Sequence, residues 1–249
     1  ITNSYINIVF KSINFKEISA MGAERVVGIP GTAGALDARV MEIEGVKTGL
    51  VMCHPHPLFS GTMDNKVVTT AVRAAKGLGL NTLRFNFRGV GRSQGSYDQG
   101  QGELADAATV LDWVQGYNSA ARFCWVAGHS FGAWIGMQLL MRRPEIAGFI
   151  SVAPPTNMYD FSFLAPCPAS GLIAHGESDA IVPHDEMERA MSKVRTQKGI
   201  VITHDIIKGA GHLFTDHLDP LEASVKGYLD KRLPEVEVER SEMASTGKR

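Results

Sequence analysis

No apolar run in this chain approaches the length of a membrane span. Charge of either sign is not in excess: the formal net charge is −1 at pH 7, which excludes the one-sided fields typical of nucleic-acid or membrane-surface binding. Cysteine is scarce. Cys53, Cys124 and Cys167 form an odd set without the spacing of a metal site. Cys53 and Cys124 lie in apolar, strand-like runs, which reads as reduced core thiols and favours a cytoplasmic setting. No internal repeat or low-complexity segment is visible. The expected partner is a small molecule, with no nucleic acid and no membrane, and a homo-oligomer is compatible with the composition.

What is present is an ordinary globular composition over 249 residues, enough to bury a sizeable core. Residues 1–20, rich in Asn, Ile and Ser, lack the apolar core and cleavage site of a signal peptide and read as an N-terminal extension that need not belong to the domain. The domain is expected over 21–234, with 235–249 a charged, frayed C-terminal tail. Periodicity and turn residues predict strands over 25–29, 37–43, 49–53, 81–87, 123–127, 147–152, 170–174 and 200–206. Helices are predicted over 66–78, 102–117, from Phe131, and over 184–194 and 220–232. The alternation implies a mainly parallel sheet with helices on both faces, the α/β class. Ligands gather at the carboxyl ends of such strands, so the residues just past each strand matter most.

Past the strand at 123–127 comes Gly128-His129-Ser130-Phe131-Gly132, a match to G-x-S-x-G. A turn leading straight from strand into helix brings backbones so close that side chains at Gly128 and Gly132 would collide. The apical residue is forced toward a strained φ/ψ, and its side chain stands clear of the sheet. A serine there is exposed to substrate, and the free N–H of Phe131 faces any oxyanion formed on it. Past the strand at 170–174 comes H-G-E-S-D-A-I-V-P, with carboxylates at Glu177, Asp179 and, further on, Asp185. Past the last strand comes G-A-G-H-L-F, with His212 and then His217. Serine, carboxylate and histidine thus follow separate strands in the order Ser…Asp…His.

With G-H-S-F-G, H-G-E-S-D-A-I-V-P, G-A-G-H and N-F-R-G-V-G-R-S-Q-G, the chain resembles the α/β-hydrolase superfamily from about Glu24 to Arg232. It is most similar to the small capless members, the dienelactone-hydrolase-like and acyl-peptidase-like enzymes. Its serine departs from the cysteine nucleophile of dienelactone hydrolase, so that substrate does not carry over. The resemblance implies an α/β-hydrolase fold without a cap domain. It implies Ser130 as nucleophile, His212 as base and Asp179 as the acid that orients it, the spacing favouring Asp179 over Glu177 and Asp185, and His212 over His217. His129 reads as packing beside the elbow.

The second oxyanion donor is expected after the strand at 49–53, where H-P-H-P stands in place of the family's H-G. Pro55 and Pro57 have no N–H. In the family register the donor is the N–H of His56, with Leu58 the alternative. A zinc site on H-x-H lacks an evident third ligand, and no metal or organic cofactor is expected. Arg88, Gly89, Gly91 and Ser93 read as a structural turn tied down by Arg88. Only 153–167 occupies the place where larger relatives carry a lid. There Met158, Tyr159, Phe161, Phe163 and Leu164 are enough to wall a shallow apolar pocket, and Leu58 is a further candidate to bind substrate. The function implied is a serine hydrolase of esters or thioesters of modest size, working through an acyl-enzyme. A peptidase or amidase, or a non-catalytic binding protein on the same fold, is the alternative.

Overall fold

In the computed structural model the described residues are 23–43, 46, 48–117, 123–164, 167–194 and 200–246. The expected extension at 1–20 lies outside them. Their strands are β1 (Arg25–Gly31), β2 (Gly34–Met41), β3 (Thr48–Cys53), β4 (Asn81–Phe85), β5 (Phe123–His129), β6 (Ile146–Val152), β7 (Gly171–Gly176) and β8 (Ile202–Ile207). They form one sheet in the order β1-β2-β4-β3-β5-β6-β7-β8. Pairing is antiparallel at β1–β2 and β2–β4 and parallel from β4 onward.

Strand periodicity divides the core in two. In β3, Val51 and Cys53 face one cluster while Leu50 and Met52 face the other. In β5, Cys124 and Val126 point one way, Trp125 and Ala127 the other. The first face is covered by α2 (Gln101–Tyr117), α3 (Phe131–Arg142) and α4 (His184–Val194), the second by α1 (Lys66–Lys76) and α5 (Leu218–Thr246). Helices on both faces of a mostly parallel sheet are the arrangement expected from the sequence. Among the described residues no helix is long and apolar enough to cross a membrane.

Two boundaries differ from expectation for visible reasons. The strand expected to reach Phe87 stops at Phe85, because the next two N–H groups leave the parallel ladder. Asn86 donates to the Asp37 carbonyl at 2.8 Å, and Phe87 donates to Nε2 of His54 at 3.0 Å. The last helix runs to Thr246, through Pro234 and into the stretch expected as a tail. The Glu-Val-Glu-Val-Glu-Arg sequence that follows Pro234 can carry a helix onward despite its charge.

After β4 the glycine-rich turn is held by a buried ion pair. Arg88 donates from Nε and Nη2 to the two carboxylate oxygens of Asp106, at 3.0 and 2.7 Å, and its own N–H donates to the same group at 3.0 Å. Asp106 is fully buried and Arg88 8% exposed. Ser93 completes the turn, its Oγ donating to the Asn86 carbonyl and accepting from the Asp37 N–H. The structural reading of this turn is the one the geometry carries. Asp106→Ala would strand a buried guanidinium, and we expect a loss of about 3–5 kcal/mol in urea-denaturation stability. A loss under about 1 kcal/mol would show that Arg88 finds water instead.

Candidate active site

The site grows from the junction of β5 and α3. Ser130 sits at φ 53° and ψ −118°, a region that costs a side-chain-bearing residue about 1–3 kcal/mol. Neighbouring backbone holds it there. A Cβ on Gly128 would lie 2.2 Å from the Gly132 carbonyl oxygen, and one on Gly132 would lie 2.3 Å from that of Cys53. Ser130 is also the N-cap of α3, yet its hydroxyl makes no capping bond. It turns instead to Nε2 of His212, at 3.0 Å.

His212 follows β8 and is 8% exposed. Its Nδ1 donates to Oδ2 of Asp179 at 2.8 Å. The other oxygen of Asp179 accepts the N–H groups of Ile181 and Val182, at 2.9 and 2.8 Å. Burial alone would raise the Asp179 carboxyl. The bonds from His212 and from the two N–H groups outweigh it and hold the pKa below the usual value. Asp179 is therefore an anion at neutral pH, fixed on both oxygens. Glu177 instead accepts the Gly209 N–H, Asp185 pairs with Arg189, and His217 stands against Gly209, so none of the three rivals joins the line from Ser130.

Phe131 opens α3, so its N–H is one of those at a helix start with no carbonyl a turn back. The ring of His56 lies 4.9 Å from that of Phe131, so the side chains of the two residues expected to supply the oxyanion donors are in contact. The alternative, Leu58, has its N–H bound to Nδ1 of His56 at 3.2 Å. That bond leaves Nε2 as the protonated nitrogen, facing the Tyr97 hydroxyl at 3.2 Å. His54 donates from Nδ1 to the Pro55 carbonyl at 2.6 Å and accepts the Phe87 N–H on Nε2. With both nitrogens engaged, it does not offer a metal ligand beside His56. His129 donates from Nε2 to the His212 carbonyl at 3.1 Å, so it braces the histidine loop as well as packing beside the elbow.

The expected pocket residues disperse. Tyr159 stacks on Trp134 at 4.3 Å and meets the edge of Phe131, which puts it beside the site. Phe161 and Phe163 stack on each other and pack on the core. Leu58 and Met158 are 67% and 59% exposed, on the loops after β3 and β6. Tyr97 and Trp134 complete the aromatic wall around Phe131 and His56 and were not among the sequence candidates. Trp134 could have been found, one helical turn beyond Ser130. Tyr97 carries no such signal, because only the fold of the turn after β4 brings it across.

A family profile described as alpha/beta hydrolase fold matches residues 60–169. The crystal structure of a protein of unknown function from Agrobacterium tumefaciens, described as a candidate alpha/beta hydrolase, is 50% identical, with TM-score 0.82, over 85% of this chain and 97% of that one. An alpha-beta serine hydrolase homologue from Coxiella burnetii is 36% identical, with TM-score 0.73, over 82% and 97%. A serine hydrolase without lid from Xanthomonas campestris is 32% identical, with TM-score 0.76, over 84% and 94%.

Three buried histidines around the site make stability depend on pH. Burial lowers His54 to about 4, His129 to about 3 and His175 to about 4. Unfolded, each returns to about 6.5. Between pH 6.5 and 4 the unfolded chain binds more protons than the folded one, so stability falls as pH falls through that window. Calorimetry should show the unfolding midpoint dropping steadily from pH 7 to 4, less steeply in His129→Asn. A midpoint constant over that range would contradict the burial of neutral imidazoles.

Proposed function

The chain belongs to the α/β-hydrolase family, as a small hydrolase without a lid, and from that premise we propose that it cleaves carboxylic esters or thioesters through Ser130, His212 and Asp179. The single observation that carries the reading is the continuous line of hydrogen bonds from Asp179 through His212 to the Ser130 hydroxyl, at 2.8 and 3.0 Å. Ser130 Oγ attacks the carbonyl carbon while Nε2 of His212 takes its proton. Asp179 keeps Nδ1 protonated and stabilises the imidazolium that forms. The tetrahedral oxyanion accepts the N–H groups of Phe131 and His56. His212 then protonates the departing alcohol or thiol, leaving an acyl group on Ser130. Water, deprotonated by the same Nε2, attacks the acyl-enzyme and releases the acid.

Esters are favoured over peptides because the site rim is aromatic and apolar. Tyr159 and Tyr97, beside Phe131, and the exposed Leu58 give an acyl group contact area. The chemistry draws every group from protein, so a chelator should leave activity unchanged. The thiols of Cys53, Cys124 and Cys167 are buried and in no disulfide among the described residues, which fits a reducing, cytoplasmic setting.

Ser130→Ala and His212→Ala should each lower kcat on p-nitrophenyl acetate by about a thousandfold or more, because triad members act as a unit. Asp179→Asn should cripple turnover while KM changes little. Near wild-type kcat in all three variants would remove the mechanism.

The lidless cleft also sets a limit on chain length. Full burial of one CH₂ is worth about 0.8 kcal/mol, so an enclosing tunnel would raise kcat/KM several-fold per carbon. Across p-nitrophenyl esters from acetate to laurate we expect kcat/KM to climb over the first few carbons and then level off. A steady climb to laurate would mean an enclosed acyl tunnel.

A further inference from the structure

The chemistry at Ser130 leaves one cavity unused. It lies on the face of the sheet covered by α3 and α4, under the loop after β6, with a volume of about 860 Å³. That is the size of a pocket for a small organic molecule. Ser130, His212 and Asp179 are not among its lining residues; Tyr159, beside the site, borders both. Its apolar wall is Met137 of α3, Ile173 of β7, Met187 and Met191 of α4, and Phe161 and Leu164 of the loop. Methionine adapts to ligands of irregular shape, because its side chain is unbranched and its thioether polarisable.

One strand residue does not belong to an apolar wall. Ser151 shares the face of Phe149 in β6, where alternation calls for another core side chain. It is 2% exposed, it lines the cavity, and its Oγ has no hydrogen-bond partner among the described residues. The Thr156 hydroxyl, also on the lining, is likewise unpartnered among them. Buried hydroxyls are ordinarily bonded, so a group within the cavity is the natural partner. Water could serve one hydroxyl, but it needs several polar partners and gains nothing from three methionines.

The charges decide what kind of molecule fits. Glu186, Arg189, Asp160 and Lys193 line the cavity with both signs, and Arg189 is paired with Asp185 and Glu186. They give no net pull on an ionic head, and a charge at the depth of Ser151 would lose its hydration. We propose that this cavity is a second binding site, for a neutral amphiphile with an apolar body and one hydroxyl or carbonyl group bonded to Ser151. The proposal stands apart from the catalytic reading of Ser130.

The test is titration of protein carrying ¹³C-methyl methionine with 1-decanol, followed by NMR. Of the ten methionines, the Met137, Met187 and Met191 methyls should shift and saturate, while Met158, exposed on the same loop, stays in place. Ser151→Ala should weaken binding about three- to tenfold, the effect of one lost hydrogen bond. Ala190→Phe, which fills the cavity from α4, should abolish the shifts and leave ester hydrolysis intact. Decanoate, ionised at pH 8, should bind more weakly than decanol. The proposal is overturned if the three methyls do not move, if only Met158 moves, if both variants bind as wild type does, or if decanoate binds as well as decanol.

Discussion

The site depends on one steric constraint, the contact of three backbone segments at the end of β5. Gly128 lies against Gly132, and Gly132 lies against the carbonyls of Cys53 and His54. No side chain fits in either place. The close approach fixes the turn, and the turn holds Ser130 at φ 53°. From this follow the start of α3 immediately after the serine and the direction of its first N–H groups. The strain is local and the surrounding sheet supports it. β5 lies between β3 and β6, with all of its residues past Phe123 buried.

Around this centre, buried polar groups act as braces between loops. His54 ties the turn after β3 to the end of β4. His129 ties the elbow to the histidine loop. The Ile181 and Val182 N–H groups tie the acid loop to its own carboxylate. The first two link segments distant in sequence, and the third fixes the acid loop on itself; the Asp179–His212 bond then joins that loop to the histidine loop. Preorganisation of this kind spares the reaction the cost of orienting its groups.

The sequence made much of this legible, for a physical reason. Strand and helix periodicities reflect burial on two faces, and the buried runs from β3 to β7 are strong. G-x-S-x-G was readable because its glycines are required by sterics rather than by chemistry. The Ser…Asp…His order was readable because each residue follows a strand whose end lies at one edge of the sheet. Contacts across that edge were not legible. Tyr97 against His56 and the packing of Phe161 away from Ser130 depend on how loops fold over each other, and no periodicity records it. The end of β4 is hidden for the same reason: His54, far away in sequence, takes the Phe87 N–H. The helix from Glu235 to Thr246 is hidden by a charged composition that resembles a tail, although Glu and Arg are good helix formers.

The central claim is that Ser130 is held in its strained turn as a nucleophile activated by His212. Incubation with a fluorophosphonate, followed by peptide mass spectrometry, tests it most directly, since the probe bonds only to an activated serine. The account predicts a single adduct on the tryptic peptide containing Ser130, formed at neutral pH and lost in His212→Ala. An adduct on a different serine, or none in the wild-type protein under conditions that label a known serine esterase, would contradict it.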